Sequence, residues 1–552
     1  MFFVSMDLLE QKLRKDKHMS RLPALIVGAG PTGLMMACEL ARHHIPFRII
    51  DKKPEPAQGS NATWIQTRTL EIFDAIGIAD DFLKLGHKCD AINFYVSGKA
   101  LTSIPLNHID SCYPFILMLP QSETERLLTK KLDESKIRVE RSLELINAQQ
   151  TDNGVVATIR LADGNTENIT SDWIIACDGA NSTVRQKCQI PFPGEDIAEQ
   201  FMVADARMSS SFLPTNEIHV FFDKGTILPE KSTIFGAFPW GSKEYRLNAN
   251  LYLSHARQTF TPHEVKEIVA ERTFGNYIVE SVSWISPFWI HSQIVDHMQQ
   301  GSIFLAGDAA HIHSPAGGQG MNTGIQDAYN LAWKLALVIH GKANPTLLQS
   351  YQLERYPVVD KIVEQTDDLT KMMLFDKSFF TKLSKFSKSV SHASVAKKVG
   401  MELTQLDIQY QDSPIIDYHE KTSAKSPKQG ERAPNVILDN TTQLYDHFRN
   451  AQHNILLFSG KTPKKDQLSE LVDLQQKISQ TFPGLIQTHI VSTENSKEIK
   501  HFILDLNTAI HNRYDISHSA IYLIRPDNTI AYYSKKLDMG LLEKFLIQYL
   551  EK

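Results

Sequence analysis

Three glycines, Gly28, Gly30 and Gly33, recur with G-x-G-x-x-G spacing around Pro31 and Thr32, and Asp51, followed by Lys52, stands 18 residues beyond the last of them. Glycines so placed allow a tight turn and let a pyrophosphate approach free N–H groups at the start of a helix. An acid at that distance can accept hydrogen bonds from an adenosine ribose, which an ordinary glycine turn in a packed βα unit would not require. The set therefore reads as a dinucleotide site. A second cluster, Gly307-Asp308-Ala-Ala-His311, leads into Pro315, Gly317, Gly318, Gly320, Met321 and Asn322, an acid in a glycine-rich loop that opens another helix. Helix-start N–H groups there could stabilise an anion. His311 and His313 beside Asp308 could mimic a metal site, but two histidines two residues apart on a loop more often make solvent or capping contacts, so no metal is expected. Gly460-Lys461-Thr462 fails as a P-loop because Ile455 stands where glycine is needed and Pro463 follows at once.

These residues need elements to hold them. Ala24–Val27 is an apolar run, Pro31–His43 has helical spacing and Phe47–Ile50 is apolar again, which predicts a strand–turn–helix–strand opening. Residues 190 to 290 change to short alternating runs such as 217–222 and 246–253, predicting a mainly antiparallel sheet inserted into the first unit. Three of the six tryptophans, Trp240, Trp284 and Trp289, fall there, as sheet core or as the lining of an aromatic pocket. Ile303–Ala306 returns to a strand, a helix follows from Asn322 to His340, and 346–400 is amphipathic and helical. The expected division is an extension at 1–20, a dinucleotide-binding unit at 21–190 continued at 291–400, a substrate sheet at 191–290, a polar linker at 401–434 and a last unit at 435–552. That last unit runs strand, helix, strand, hairpin across Pro526-Asp527-Asn528, helix. Its order resembles a thioredoxin-like fold, but it has no cysteine and hence no thiol redox chemistry. With no cofactor motif in it and a linker before it, it should be removable without loss of the cofactor. Arg525 reads as a turn or interface residue.

Composition narrows the possibilities. A chain of 552 residues exceeds one core, and 58 Lys plus Arg against 63 Asp plus Glu gives no basic field for nucleic acid or anionic lipid. The five cysteines all precede residue 190 without a C-x-x-C, which fits a reducing, cytoplasmic setting without disulfides. The longest apolar stretch, 24–40, is broken by glycines and too short to span a bilayer, and the start has the wrong charge order for export. Met19 is an alternative start.

The combination of the first fingerprint with Gly307-Asp308 and its glycine loop resembles the class A flavoprotein monooxygenases, the para-hydroxybenzoate and phenol hydroxylase group. Asp172 to Arg185, containing Asp178-Gly179, looks like that family's D-G segment, Leu119 to Arg126 like the helix whose glutamine, here Gln121, contacts FAD, and Arg68-Thr-Leu-Glu71 like its R-T-x-E helix. The resemblance covers residues 22 to 375, and Gly430 to Pro434 with Ile524 to Asp527 extends it to the branch with a thioredoxin-like tail. It implies an α/β Rossmann-like FAD domain, non-covalent FAD, NAD(P)H as co-substrate, and O2. It also implies oxygen transfer through a flavin C4a-hydroperoxide to a phenolic, polycyclic or quinoid small molecule, in a monomer or homodimer. Asp308 would bind the ribityl chain, Asp178 would lie near the flavin and Arg185 near cofactor phosphates. Alternatives on the same scaffold are an oxidase, a reductase, a Baeyer-Villiger enzyme or a flavin-binding sensor. The chain departs from the family in Ser60 to Trp64, where phenol hydroxylases carry a substrate-activating aspartate near the position of Thr63, and in His291 to Ile294, which lacks a family arginine. The resemblance implies that the cofactor carries the chemistry while the protein positions the ring, so no side chain is expected as catalytic acid or base.

Overall fold

The computed structural model describes residues 21–56, 62–211, 213–224, 232–251, 257–376, 378–439, 442–464, 466–496 and 499–551. The expected extension at 1–20, Ser60, Asn61, Tyr252 and Leu253 lie outside them. From the first described residues the chain runs as β1 (Leu22–Val27), α1 (Pro31–Arg42) and β2 (Phe47–Asp51), then β3 (Ala91–Val96), β4 (Lys99–Pro105), α2 (Gln121–Glu134) and β5 (Thr166–Ala176). It continues through β6 (Gly194–Ser209), β7 (Glu217–Lys224), β8 (Ser232–Pro239), β9 (Glu244–Asn250), β10 (Ile278–Ile294) and β11 (Ile303–Leu305). Helices α3 (Gly320–Ile339), α4 (Gln349–Phe375), α5 (Phe379–Val390) and α6 (Ala393–Leu403) follow. The last part contains β12 (His453–Phe458), α7 (Gln467–Thr481), β13 (Ile486–Ser492), β14 (Phe502–Leu504), β15 (Ala520–Ile524), β16 (Ile530–Ser534) and α8 (Met539–Leu546).

Strands β11, β5, β1 and β2 pair in that order and in parallel, with Ala24 opposite Trp173 and Phe47, and short strands extend the edges. The central strands are apolar over most of their length because helices cover them: Leu25, Ile26, Ile49, Ile50, Ile174 and Phe304 are all buried. Helix α3 packs against α1 on this sheet, so the starts of both helices sit at one end of it. This is where ligands bind in open α/β sheets, beyond the carboxyl ends of the strands.

The second sheet has the order β10-β6-β9-β8-β7-β3-β4, with residues 311–312 paired onto β10. It differs from the expected insertion at 191–290. Strands β3 and β4 belong to it too, with β3 parallel to β7 in the register Glu217 to Ala91 through Phe222 to Val96. Alternation marks a half-buried strand but says nothing about a partner more than 120 residues away. Helices α5 and α6 close over β4.

The third sheet, β14-β13-β12-β15-β16, is parallel across β12, β13 and β14 and antiparallel across β12, β15 and β16. The stretch expected to be a linker is packed against its neighbours: Ile415, Ile416, Ser426, Gln429 and Ala433 are buried. One apolar core joins Trp333, Ala343 and Leu347 to Ile455, Ile521, Phe545 and Tyr549. Among the described residues, no helix is long and apolar enough to cross a membrane.

Candidate functional site

Between the first two sheets lies a cavity of about 840 Å³. One wall is made by the glycine loops, the other by the concave face of the second sheet, with Met372 and Met373 of α4, Phe379, Leu383 and Phe386 of α5 and Leu403 of α6 closing one side.

The first glycine turn is built for close approach. Gly28 has φ +100°, and a Cβ there would lie 2.3 Å from the Cys177 carbonyl oxygen, while one on Gly33 would lie 1.9 Å from that of Gly28. Gly30 instead faces open space at the start of α1, whose N-terminus carries no side-chain cap. Free N–H groups and the positive end of the helix dipole thus face the cavity floor, which Gly30, Pro31 and Thr32 line. Asp51 ends β2 beside this turn; its Oδ2 accepts the Ala29 N–H at 2.7 Å and its Oδ1 the Lys53 N–H at 2.8 Å. Lys52 is exposed.

Across the cavity, Asp308 follows β11 with its side chain open to that space, and desolvation by the surrounding protein raises its carboxyl pKa against the opposing pull of His311. Pro315, Gly317, Gly318, Gly320 and Met321 line the same wall, and α3 also begins without a side-chain cap. Gln121 and Gly179 line it as well, Gln121 accepting the Ala62 N–H at 3.2 Å and donating to Glu125 at 2.9 Å.

Three expected cofactor contacts have other work. The Asn322 side chain donates to the carbonyls of Trp64 and Gly318, each at 2.8 Å, and accepts from the Gln66 N–H at 2.9 Å and Thr69 Oγ1 at 2.7 Å. That exhausts a carboxamide, so Asn322 is a brace between the 64–69 segment and the glycine loop. Asp178 does not line the cavity; its Oδ2 accepts the Thr183 and Val184 N–H groups at the start of a short helix, its Oδ1 has no protein partner, and burial raises its carboxyl pKa. Arg185 donates to the carbonyls of Ala309 and Ala180 at 2.9 and 2.7 Å and stacks on Phe192, which fixes the Asp308 loop.

The two histidines are part of the cavity wall. His311 is buried, and its Nε2 donates to Asp327 Oδ2 at 2.7 Å. Asp327 also accepts Arg355 Nε at 2.8 Å and the Gly307 N–H at 3.1 Å. Burial pushes Asp327 up, but Arg355 and His311 hold it below the usual carboxylate range. Nδ1 of His311, on the cavity wall, has no protein partner. His313 also lines the cavity; its Nδ1 bonds the Ser314 carbonyl at 2.8 Å, its Nε2 is unpartnered, and desolvation lowers it to about 4. The motif places Asp308 and His311 together, but nothing local reveals Asp327 or Arg355 as their support. No described group of three or more His, Cys, Asp or Glu could hold a metal ion.

The opposite wall is aromatic, with Phe94, Phe201, Phe222, Phe238 and Phe288 facing inward. None of Trp240, Trp284 and Trp289 lines it, and Trp289 is 43% exposed. Thr63 lines the cavity and is buried, and Trp64 beside it lies against Gly318.

Open helix starts, Asp51 beside the first turn and Asp308 on the cavity fit the pyrophosphate, adenosine and ribityl parts of FAD. Residues 21–366 match the model of a family described as an FAD binding domain. The chain belongs to this FAD-binding family. It is 30% identical over 488 residues to pentachlorophenol 4-monooxygenase of Sphingobium chlorophenolicum, covering 86% of each chain. It is also 30% identical over 464 residues to 12-dehydrotetracycline 5-monooxygenase/anhydrotetracycline 6-monooxygenase of Streptomyces rimosus subsp. rimosus, covering 82% of this chain and 88% of that one. The solved anhydrotetracycline hydroxylase of Streptomyces rimosus superposes with a TM-score of 0.74 at 25% identity over 96% of this chain and 99% of that one. The protein is an FAD-dependent monooxygenase.

Proposed function

We propose that the chain hydroxylates a fused-ring, phenolic or quinoid substrate held between the glycine loops and the second sheet. The observation that carries this reading is the cavity itself: about 840 Å³, with FAD-type loops on one side and five phenylalanines on the other. Bound FAD supplies the redox chemistry, taking reducing equivalents from NAD(P)H and transferring one atom of O2. The protein binds and orients. The starts of α1 and α3 face negative charge, Asp51 and Asp308 take hydroxyl protons in hydrogen bonds, and the aromatic wall excludes water. The relatives' substrates, a chlorinated phenol and tetracycline precursors, support an acidic or polycyclic phenol here. Thr63 has no proton-accepting carboxylate, which favours substrates whose hydroxyl ionises easily.

The same reading assigns residues 21–190 and 291–400 to the FAD unit, 191–290 with β3 and β4 to the substrate sheet, and 435–552 to a thioredoxin-like unit, as its mixed sheet order supports. Substrate-stimulated NAD(P)H oxidation by the FAD-loaded chain, with one atom of labelled O2 in the product, is the test. Oxidation that yields only hydrogen peroxide across phenol and hydroxyquinone panels would refute it.

A further inference from the structure

On one face of β9, three polar side chains follow one another at two-residue spacing: Arg246, Asn248 and Asn250. The outer two are committed to the protein. Arg246 makes a bidentate pair with Asp205, Nε to Oδ1 at 2.7 Å and Nη2 to Oδ2 at 2.9 Å. Asn250 accepts the Ile234 N–H at 2.8 Å and donates to the Ser232 carbonyl at 3.3 Å. Asn248, between them, lines the cavity, and its Oδ1 is shut away from solvent with no hydrogen-bond partner. A buried carboxamide oxygen left unmatched is costly, so a native site keeps one where something else completes it.

The neighbours do not hold that carboxamide, so a half-turn about its last torsion presents the oxygen to the cavity. Directly across from Asn248 on β8 is Gly236, which has no side chain to cover it. A Cβ at 236 would meet the Phe238 ring at 2.5 Å, so the space is bounded by an aromatic face instead of a polar partner. The surrounding wall is Phe201, Ile234, Phe238 and Phe288, which offer no hydrogen bond. A flat apolar molecule placed against these rings would meet the unspent Asn248 carboxamide.

Resting on the hydroxylase reading above, we propose that Asn248 is the specificity-determining contact for the substrate. Its carboxamide takes the oxygen-bearing edge of a fused aromatic ring, with Oδ1 accepting the proton of a ring hydroxyl. The contact fixes which edge points at the sheet and therefore which carbon faces the flavin side. It discriminates hydroxylated polycycles from the same skeleton without the hydroxyl, because only the former satisfies the buried oxygen.

The test uses the full FAD-loaded chain and two probes, a hydroxyanthraquinone and unsubstituted anthraquinone, titrated against the flavin absorbance. The wild type should bind the hydroxylated probe more tightly. Asn248→Leu, close in volume, should weaken that probe about three- to tenfold, the size of one neutral hydrogen bond, and leave the parent compound unchanged or tighter. Asn248→Ser, which keeps a smaller polar group, gives the same comparison should the leucine variant fail to fold. The fraction of NAD(P)H oxidation coupled to hydroxylated product should fall in both variants, a change that loss of packing alone would not confine to the hydroxylated probe. Equal discrimination in wild type and variants, with FAD bound and turnover intact, would overturn the assignment of Asn248. Absence of oxygen transfer to any aromatic compound would instead overturn the hydroxylase reading, and the two probe affinities would still decide whether Asn248 recognises the hydroxyl.

Discussion

Replacing Arg525 by methionine should destabilise the protein in a way that depends on pH. Arg525 is fully buried on the β15–β16 hairpin and donates to Glu354 of α4 at 2.5 and 3.0 Å and to Asp527 Oδ1 at 3.1 Å. Glu354 also accepts from Lys334 at 2.7 Å, Asn330 at 2.7 Å and Ser413 at 2.6 Å. Two cations thus balance two carboxylates, and although burial opposes it, Arg525 and Lys334 hold Glu354 below the usual carboxylate range. Without Arg525 one carboxylate is in excess. Breaking a buried pair from one side costs about 3 to 5 kcal/mol. The loss is capped by the alternative of protonating that carboxylate. From an ordinary value near 4.3, protonation costs about 3.7 kcal/mol at pH 7 and about 1 kcal/mol at pH 5. The gap between Arg525→Met and wild type should therefore be about 3 to 4 kcal/mol at pH 7 and shrink by about 2 to 3 kcal/mol at pH 5. Urea midpoints read by tryptophan fluorescence and flavin release at both pH values measure it. Adding Glu354→Gln to the variant should restore most of the loss at pH 7. A difference under about 1 kcal/mol, or one that does not change with pH, would refute the reasoning.

Truncation before residue 435 should give an aggregating chain that holds little FAD, measured by flavin yield after purification, because it strips Trp333 and Leu347 of their core and Glu354 of Arg525. Asp51→Ala should weaken FAD by about 1 to 3 kcal/mol in a fluorescence titration, through lost ligand bonds and a loosened Ala29. Gly28→Ala should abolish FAD binding while the far-UV spectrum persists, since its Cβ would strike the Cys177 carbonyl at 2.3 Å. Burial lowers His453 and His489 to about 3 and His313 to about 4, so each is neutral when folded. Unfolding lets them take up protons, so their stability contribution is complete above about pH 6.5 and falls as pH drops, by about 2 kcal/mol each at pH 5. His453→Phe should flatten the decline in urea midpoint between pH 6.5 and 4 by about one proton's worth.

What the sequence revealed is what is local in it. The turn at Gly28 to Gly33, the strand into Asp308 and the hairpin at Pro526 to Asn528 each lie within a few residues, so spacing and residue type determine them. Side-chain partners chosen by the fold were not legible. Asn322 belongs to the motif yet spends its whole carboxamide on Trp64, Gly318, Gln66 and Thr69, partners in part more than 250 residues away. The polar stretch around Ser413 and Ser426 reads as a linker because polarity alone cannot distinguish a solvated segment from one whose hydroxyls are hydrogen-bonded inside. Ser413 is the second kind, donating to a fully buried Glu354. His311 likewise looks like a loop histidine until α3 brings Asp327 under it.

Helix α3 relates these pieces. Its start lines the cavity through Gly320 and Met321. Two turns further on, Asp327 holds His311, Arg355 and the Gly307 N–H. Asn330 and Lys334 meet Glu354, and between them Trp333 donates to Asp527 at 3.2 Å. Asp327, Asn330 and Lys334 are spaced by three and four residues, so they form one buried polar stripe along a single face. The contacts on that stripe come from the Asp308 loop and from Glu354 and Arg355 of α4, and through Glu354 and Asp527 they reach the C-terminal hairpin. The tail that bears no cofactor motif therefore packs on the same helix whose start lines the cavity. The expectation that the tail is dispensable followed from the absence of chemistry in it; the structure packs it on a helix whose far end lines the site, and the truncation above decides between the two.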